Sequence, residues 1–306
     1  MDRAYADTLR LLLAIAPEVF RSGAFAMKGG TALNLFVLDL PRVSVDIDLV
    51  DTDWIVPRDA ALKAIAAELT AIAGRLERLG LSRRPIATPG GEQSKLLIER
   101  DGAQVKVEVN LVFRGTLRPV QQRLLSPRAA EMFSAELSAP TLVLDELYGS
   151  KLVAALDRQH PRDLFDVWQM YETSGLTDEA IACLVLYLAG HNRPLHEVLF
   201  PRTKAIAREF EASFKGMTRE PVELATLEAT RSRLLADIPR RLTADQRTFL
   251  IGLARGQPDW SLAGCSHAHE LPAIRWRLQN LEQLRAKRPS EFDRQAQALE
   301  DALARA

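Results

Sequence analysis

Lys28-Gly29-Gly30-Thr31-Ala32-Leu33, followed after eight residues by Arg42-Val43-Ser44-Val45-Asp46-Ile47-Asp48-Leu49, is the stretch on which the reading of this chain turns. Its second part alternates. Val43, Val45, Ile47 and Leu49 point one way and Ser44, Asp46 and Asp48 the other, as in a strand with one buried face. Same-face neighbours are separated by roughly 6.6 Å along a strand, so Asp46 and Asp48 project close together. Two such carboxylates repel each other unless a positive charge lies between them. Mg²⁺ answers that need, because it is commonly held by one or two carboxylates plus substrate phosphates; Mn²⁺ is the substitute. The first part supplies a complement. Gly29-Gly30 reads as a tight turn entering a helix with Thr31 at or near its N-cap, where free backbone N–H groups suit a phosphate. Taken singly, the halves also read as an ordinary turn and a solvated strand face. Together, with Arg42 and Ser44 just ahead of the carboxylates, they are far more restrictive.

A third carboxylate is sought on a neighbouring strand. Within residues 93–114, Lys95–Glu99 and Gln104–Leu111 are strand-like runs joined through Arg100-Asp101-Gly102-Ala103, and Asp-Gly there is a strong hairpin signal. In the second arm Val105, Val107, Val109 and Leu111 share one face, and Lys106, Glu108 and Asn110 the other. Two readings stand for Glu108: a third metal ligand, or a solvated position on an amphipathic hairpin.

Further along, Leu144–Arg158 has helical spacing, with Leu144, Leu147, Tyr148, Ala155 and Leu156 forming an apolar stripe. Lys151 falls in that stripe. A lysine there costs free energy unless its ammonium finds a partner or the side chain snorkels to water. A second helix is expected to start near Pro161, a residue suited to a first turn. It carries Asp163 and Asp166 as neighbours three apart. Asp163 in the first turn also offsets the helix dipole, whatever else it does.

Gly-Gly-Thr, a short helix and then Arg-x-Ser-x-Asp-Ile-Asp-Leu resembles the nucleotidyltransferase motif of the DNA polymerase beta superfamily. More narrowly, the chain resembles the AbiEii/AbiGii toxin family, which includes MenT-type toxins of type IV toxin–antitoxin systems. The superfamily's usual Gly-Ser is Gly30-Thr31 here, which keeps the hydroxyl. The stretch Leu-x-x-x-Lys151 … Arg158-x-x-x-Arg162-Asp163-x-x-Asp166 is similar to the family's second signature. The resemblance implies that Asp46 and Asp48 hold the metal of a nucleoside triphosphate, with Lys28, Gly29, Gly30, Thr31, Arg42 and Ser44 toward the nucleotide. It implies that Lys151 contacts the triphosphate and that Asp166 is needed for activity, supported by Arg158, Arg162 and Asp163. Glu108 stands where the superfamily more often has Asp. The implied activity is transfer of a nucleotide from an NTP to an RNA acceptor, the tRNA 3′ end, restrained by a separately encoded antitoxin. A nucleotide-binding regulator without transfer activity, or an enzyme with a small-molecule acceptor, are the rival readings.

The remainder bounds these expectations. The 306 residues are 47% hydrophobic and carry a formal net charge of zero, so bulk charge gives no hint of a nucleic-acid partner. Between Arg202 and Arg255, eleven Lys/Arg face seven Asp/Glu, enough for a basic patch. Two distant cysteines, Cys183 and Cys265, fit a reducing compartment, and Cys265-Ser-His267-Ala-His269 lacks the paired spacing of a zinc site. Acids at Asp2 and Asp7 argue against a leader, and the longest apolar run, 180–189, is too short to span a bilayer. A cytoplasmic protein without membrane contact is expected. The fold class is expected to be α+β: a nucleotidyltransferase-type mixed sheet with flanking helices over 1–140, then a helical bundle over 141–306 that contributes Lys151 and Asp166 to the site.

Overall fold

The computed structural model describes residues 3–87 and 93–306; Asp2 lies outside the described residues. The chain forms two compact units, Met1–Val143 with Gly216–Pro221, and Leu144–Lys215 with Val222–Ala306.

The first unit is built on a seven-stranded sheet: β1 Phe25–Lys28, β2 Ile47–Asp51, β3 Ser82–Ala87, β4 Gln93–Arg100, β5 Ala103–Val109, β6 Gln121–Leu124 and β7 Ser138–Thr141. The strand order is β3-β4-β5-β2-β1-β7-β6. The sheet is mixed, with β2 parallel to β5 and β1 parallel to β7, while the other neighbours are antiparallel. The expected hairpin forms at Asp101-Gly102. Both residues have positive φ, 51° and 84°, as a tight two-residue turn requires.

That turn sets the register of β4 on β5 and so decides which side chains share a face. Leu96, Ile98, Val105, Val107, Val109, Ile47 and Leu49 fall together on one side and are all buried. Helix α1 (Arg3–Phe20) packs on β5 and β7, and α3 (Arg58–Arg78) on β3 and β4. Along α3 the buried residues Leu62, Ile65, Leu69, Ile72 and Leu76 recur every three or four positions. Each such side chain contributes about 1.5–3 kcal/mol by leaving water, so the sheet is anchored from this side. Between β1 and β2 lies α2 (Gly29–Ala32), continued by a π turn, Leu33–Val37; α4 (Pro127–Phe133) lies between β6 and β7 in sequence.

One strand differs from its sequence pattern. Alternation begins at Val43, yet β2 begins only at Ile47. Residues 41–43 are paired elsewhere: the Val43 N–H donates to the Met217 carbonyl at 2.8 Å, and the Arg219 N–H to that of Pro41 at 2.9 Å. A segment from far along the chain has taken the hydrogen bonds that a longer β2 would have used.

The second unit is helical: α5 Leu144–Arg158, α6 Pro161–Thr173, α7 Asp178–Ala189, α8 Leu195–Leu199, α9 Ala207–Ser213, α10 Leu224–Arg241, α11 Ala244–Ala254, α12 Pro272–Lys287 and α13 Pro289–Ala304. Helices α5 and α7 meet at Gly149. A Cβ there would lie 2.5 Å from the Cys183 Cβ and 2.8 Å from the Leu184 backbone nitrogen, so only glycine allows this approach. Helix α6 starts at Pro161 with His160 as N-cap, whose Nδ1 accepts the Arg162 N–H at 3.1 Å. No described helix is long and apolar enough to cross a membrane.

Candidate active site

The polar face of the sheet carries one row of charged side chains across four strands. Register pairs Lys95 on β4 with Glu108 on β5, Glu108 with Asp48 on β2, and Asp48 with Lys28 on β1. Paired residues point to the same side, so lysine, glutamate, aspartate and lysine follow one another across the sheet. A third lysine, Lys106, stands two residues before Glu108. Its Nζ lies 3.1 Å from Glu108 Oε2 and 3.6 Å from Asp46 Oδ2, while Lys95 Nζ lies 2.9 Å from Glu108 Oε1. Burial alone would lower the Lys106 pKa, but Asp46, Glu108 and Asp48 around the ammonium outweigh it and raise the value. Burial would likewise raise the Glu108 pKa, and the hydrogen bonds from Lys95 and Lys106 bring it below its ordinary value.

Asp46 lies one residue ahead of β2, and its main chain is fixed from the glycine motif. Thr31 Oγ1 donates to the Asp46 carbonyl and lies 3.0 Å from Ser44 Oγ. The two glycines are required by close approach. Gly29 has φ 78°, and a Cβ on it would meet Asp48 Oδ2 at 2.5 Å. A Cβ on Gly30 would meet Arg42 Nη2 at 2.6 Å and Ser44 Oγ at 2.9 Å. The motif therefore cradles the Asp48 carboxylate and the start of the Arg42–Asp48 segment against the end of β1.

Three of the expected site residues are engaged within the chain itself. Thr31 lies in the first turn of α2, two residues past its start at Gly29, fully buried with its hydroxyl engaged by the Asp46 carbonyl. Arg42 is not turned outward toward a nucleotide. Its guanidinium is buried, donates to the Val43 carbonyl at 2.9 Å and packs on Gly30. Glu108 has both its oxygens engaged by ammonium groups, Lys95 at 2.9 Å and Lys106 at 3.1 Å. Asp46 and Asp48 remain. Two carboxylates, one of them lying where a Cβ on Gly29 would be, suit a divalent ion that completes its oxygen shell from a phosphate-bearing substrate. Lys95 and Lys106 were not singled out from the sequence. The signal was present in their same-face positions on the two hairpin arms, but only the β4–β5–β2 register shows that both converge on Glu108.

The second unit holds its own charged cluster. Lys151 does not snorkel. Its ammonium is buried, 3.1 Å from Asp163 Oδ1 and 2.9 Å from Asp166 Oδ2. Arg158 reaches Asp163 at 2.8 Å from outside. Asp163 Oδ2 lacks an aligned hydrogen bond despite that close cation. The 12-residue separation of Lys151 and Asp163 is bridged by the α5–α6 corner, which lays the two helices side by side. Arg162 is exposed on α6.

Comparison with known proteins gives two results. A family profile described as "Nucleotidyl transferase AbiEii toxin, Type IV TA system" matches residues 10–280. Among solved structures, the fold is similar to MenT4, a nucleotidyltransferase toxin of Mycobacterium tuberculosis H37Rv, at 19% identity and a TM-score of 0.57, covering 91% of this chain and 94% of that one. No curated protein sequence matches.

Proposed function

Because the chain belongs to the AbiEii family of nucleotidyl transferase toxins of type IV toxin–antitoxin systems, we propose that it transfers a nucleoside monophosphate from an NTP to an RNA acceptor, the tRNA 3′ end, and that a cognate antitoxin restrains it. Asp46 and Asp48 are the metal carboxylates. Mg²⁺, or Mn²⁺ in its place, would neutralise triphosphate charge and orient it for displacement of pyrophosphate. Lys28, Gly29 and Gly30 face the phosphates from the start of α2, with Ser44 beside them. Thr31 and Arg42 act on the chain instead: they hold the Asp46 main chain and the loop before it. Lys151, on the helical unit, is the residue the family resemblance assigns to the triphosphate. Asp163 and Asp166 are its positioning residues, and Arg158 and Arg162 add positive charge on the same helices.

Phosphoryl chemistry of this kind rests on positioning and charge stabilisation rather than on a protein nucleophile. The single observation that carries the reading is the carboxylate–glycine cradle, in which Asp48 occupies the space that a side chain at Gly29 would need. Incubation with labelled NTPs, Mg²⁺ and total tRNA tests it. The wild type is expected to label tRNA and Asp48→Ala is not. No labelling by the wild type, or equal labelling by the variant, overturns the proposal.

A further inference from the structure

Glu108 and its two lysines are not accounted for by a metal site of two aspartates. The Lys106 contact with Glu108, at 3.1 Å, is within hydrogen-bond range, whereas its 3.6 Å approach to Asp46 is ion-pair proximity without a formed hydrogen bond. The ammonium is thus tethered at one carboxylate and loosely leaned on another. An ammonium has three donors, and these two contacts leave Lys106 with capacity for a further acceptor. Lys95 holds the other oxygen of Glu108 and so fixes the tether.

Charge counting points the same way. Around Asp48 and Glu108, the carboxylates of Asp46, Asp48 and Glu108 stand against the ammonium groups of Lys28, Lys95 and Lys106, three negative charges beside three positive ones. A divalent ion with a triphosphate of charge about −4 brings a net charge of about −2, which must be met by nearby cations. We infer that Lys106 is the resident counter-ion of Asp46 in the metal-free protein and a triphosphate contact in the loaded one, with Glu108, braced by Lys95, as the residue that positions it. This rests on the nucleotidyltransferase reading above and adds a residue to it.

Calorimetric titration of the full chain, first with Mn²⁺ alone and then with inorganic tripolyphosphate in the presence of Mn²⁺, tests the inference without depending on which base is preferred. Lys106→Met is expected to bind Mn²⁺ alone about threefold more tightly, because a competing cation has left Asp46. The same variant should bind tripolyphosphate about tenfold more weakly, the size of one lost charge-assisted hydrogen bond. Lys106→Gln, the second neutral variant, should lose the same contact, and Lys106→Arg should restore it. Thermal unfolding without ligand checks that the neutral variants fold. Unchanged tripolyphosphate affinity in either folded neutral variant, with binding intact in the wild type, overturns this inference alone. Absence of metal-dependent tripolyphosphate binding in the wild type overturns the nucleotide reading and this inference with it.

Discussion

The two charged clusters are made of the same side-chain types and solve opposite problems. On the sheet, Lys95, Lys106, Glu108 and Asp46 keep between 30% and 41% of their side-chain surface. In the helical unit, Lys151, Asp163 and Asp166 keep 8%, 4% and 0%. Half-exposed ion pairs are worth little and exchange partners cheaply, whereas a buried pair that loses one member leaves an uncompensated charge. The sheet cluster is therefore suited to give up contacts when a substrate arrives, and the helical one to hold a single ammonium in place. What separates them is burial, which the residue types do not encode.

The largest effect expected is on chemistry. Asp48→Asn should cut nucleotide transfer by about a thousandfold, comparable to removing one designed charge-stabilising group, while leaving the urea midpoint close to wild type. A concurrent collapse of stability would mean that the sheet cluster is structural like its counterpart. Asp166→Ala should act through the fold. Removing the Asp166 carboxylate from the buried Lys151 ammonium is expected to cost about 3 kcal/mol in urea unfolding, and a loss below about 1 kcal/mol would erase the contrast between the clusters. Gly149→Ala, two residues from Lys151, should cost about 2 kcal/mol by forcing α5 away from α7, read in the same experiment.

Acid sharpens the comparison further. Burial lowers the pKa values of His160, His191 and His196, all in the helical unit, with neighbouring cations adding to the effect at His160. A depressed histidine contributes stability that is full above its unfolded value of about 6.5 and is lost as pH falls through the folded value. Stability should therefore decline from neutral pH into mild acid. His160→Ala should cost about 1 kcal/mol at pH 8 through the lost cap of α6 and flatten part of that slope, followed by denaturant midpoints against pH. A slope unchanged in the variant would exclude His160 as a contributor. Smallest of all, Glu108→Gln should change stability by no more than about 0.5 kcal/mol, since its partners are half in water. A loss as large as that of Asp166→Ala would make the two clusters alike.

Much of this was legible from the chain. The Asp-Gly turn and the Pro161 start of α6 depend on local sterics, and both stand where the chain put them; the alternation through Leu49 is strand from Ile47 onward. The candidate carboxylates Asp46 and Asp48 were legible for the same reason, being two apart on an alternating run. Where local pattern failed, a long-range contact had intervened. The alternation at Val43 is that of a strand, but residues 216–221 claimed its hydrogen bonds. Thr31 and Arg42 have the right chemistry for a phosphate, but a neighbouring carbonyl and a glycine surface took them first.

The sequence by itself determined which residue types alternate, where turns must fall, and that a lysine in the stripe of α5 needed either water or a partner. Only the tertiary structure decided which: α6 folded back to bring two aspartates to Lys151, while strand register brought two lysines to Glu108. The physical reason is that a side chain's face is set by its own dihedral period, but the charge it meets is set by whichever strand or helix packs opposite, and that choice is made by burial summed over the whole unit.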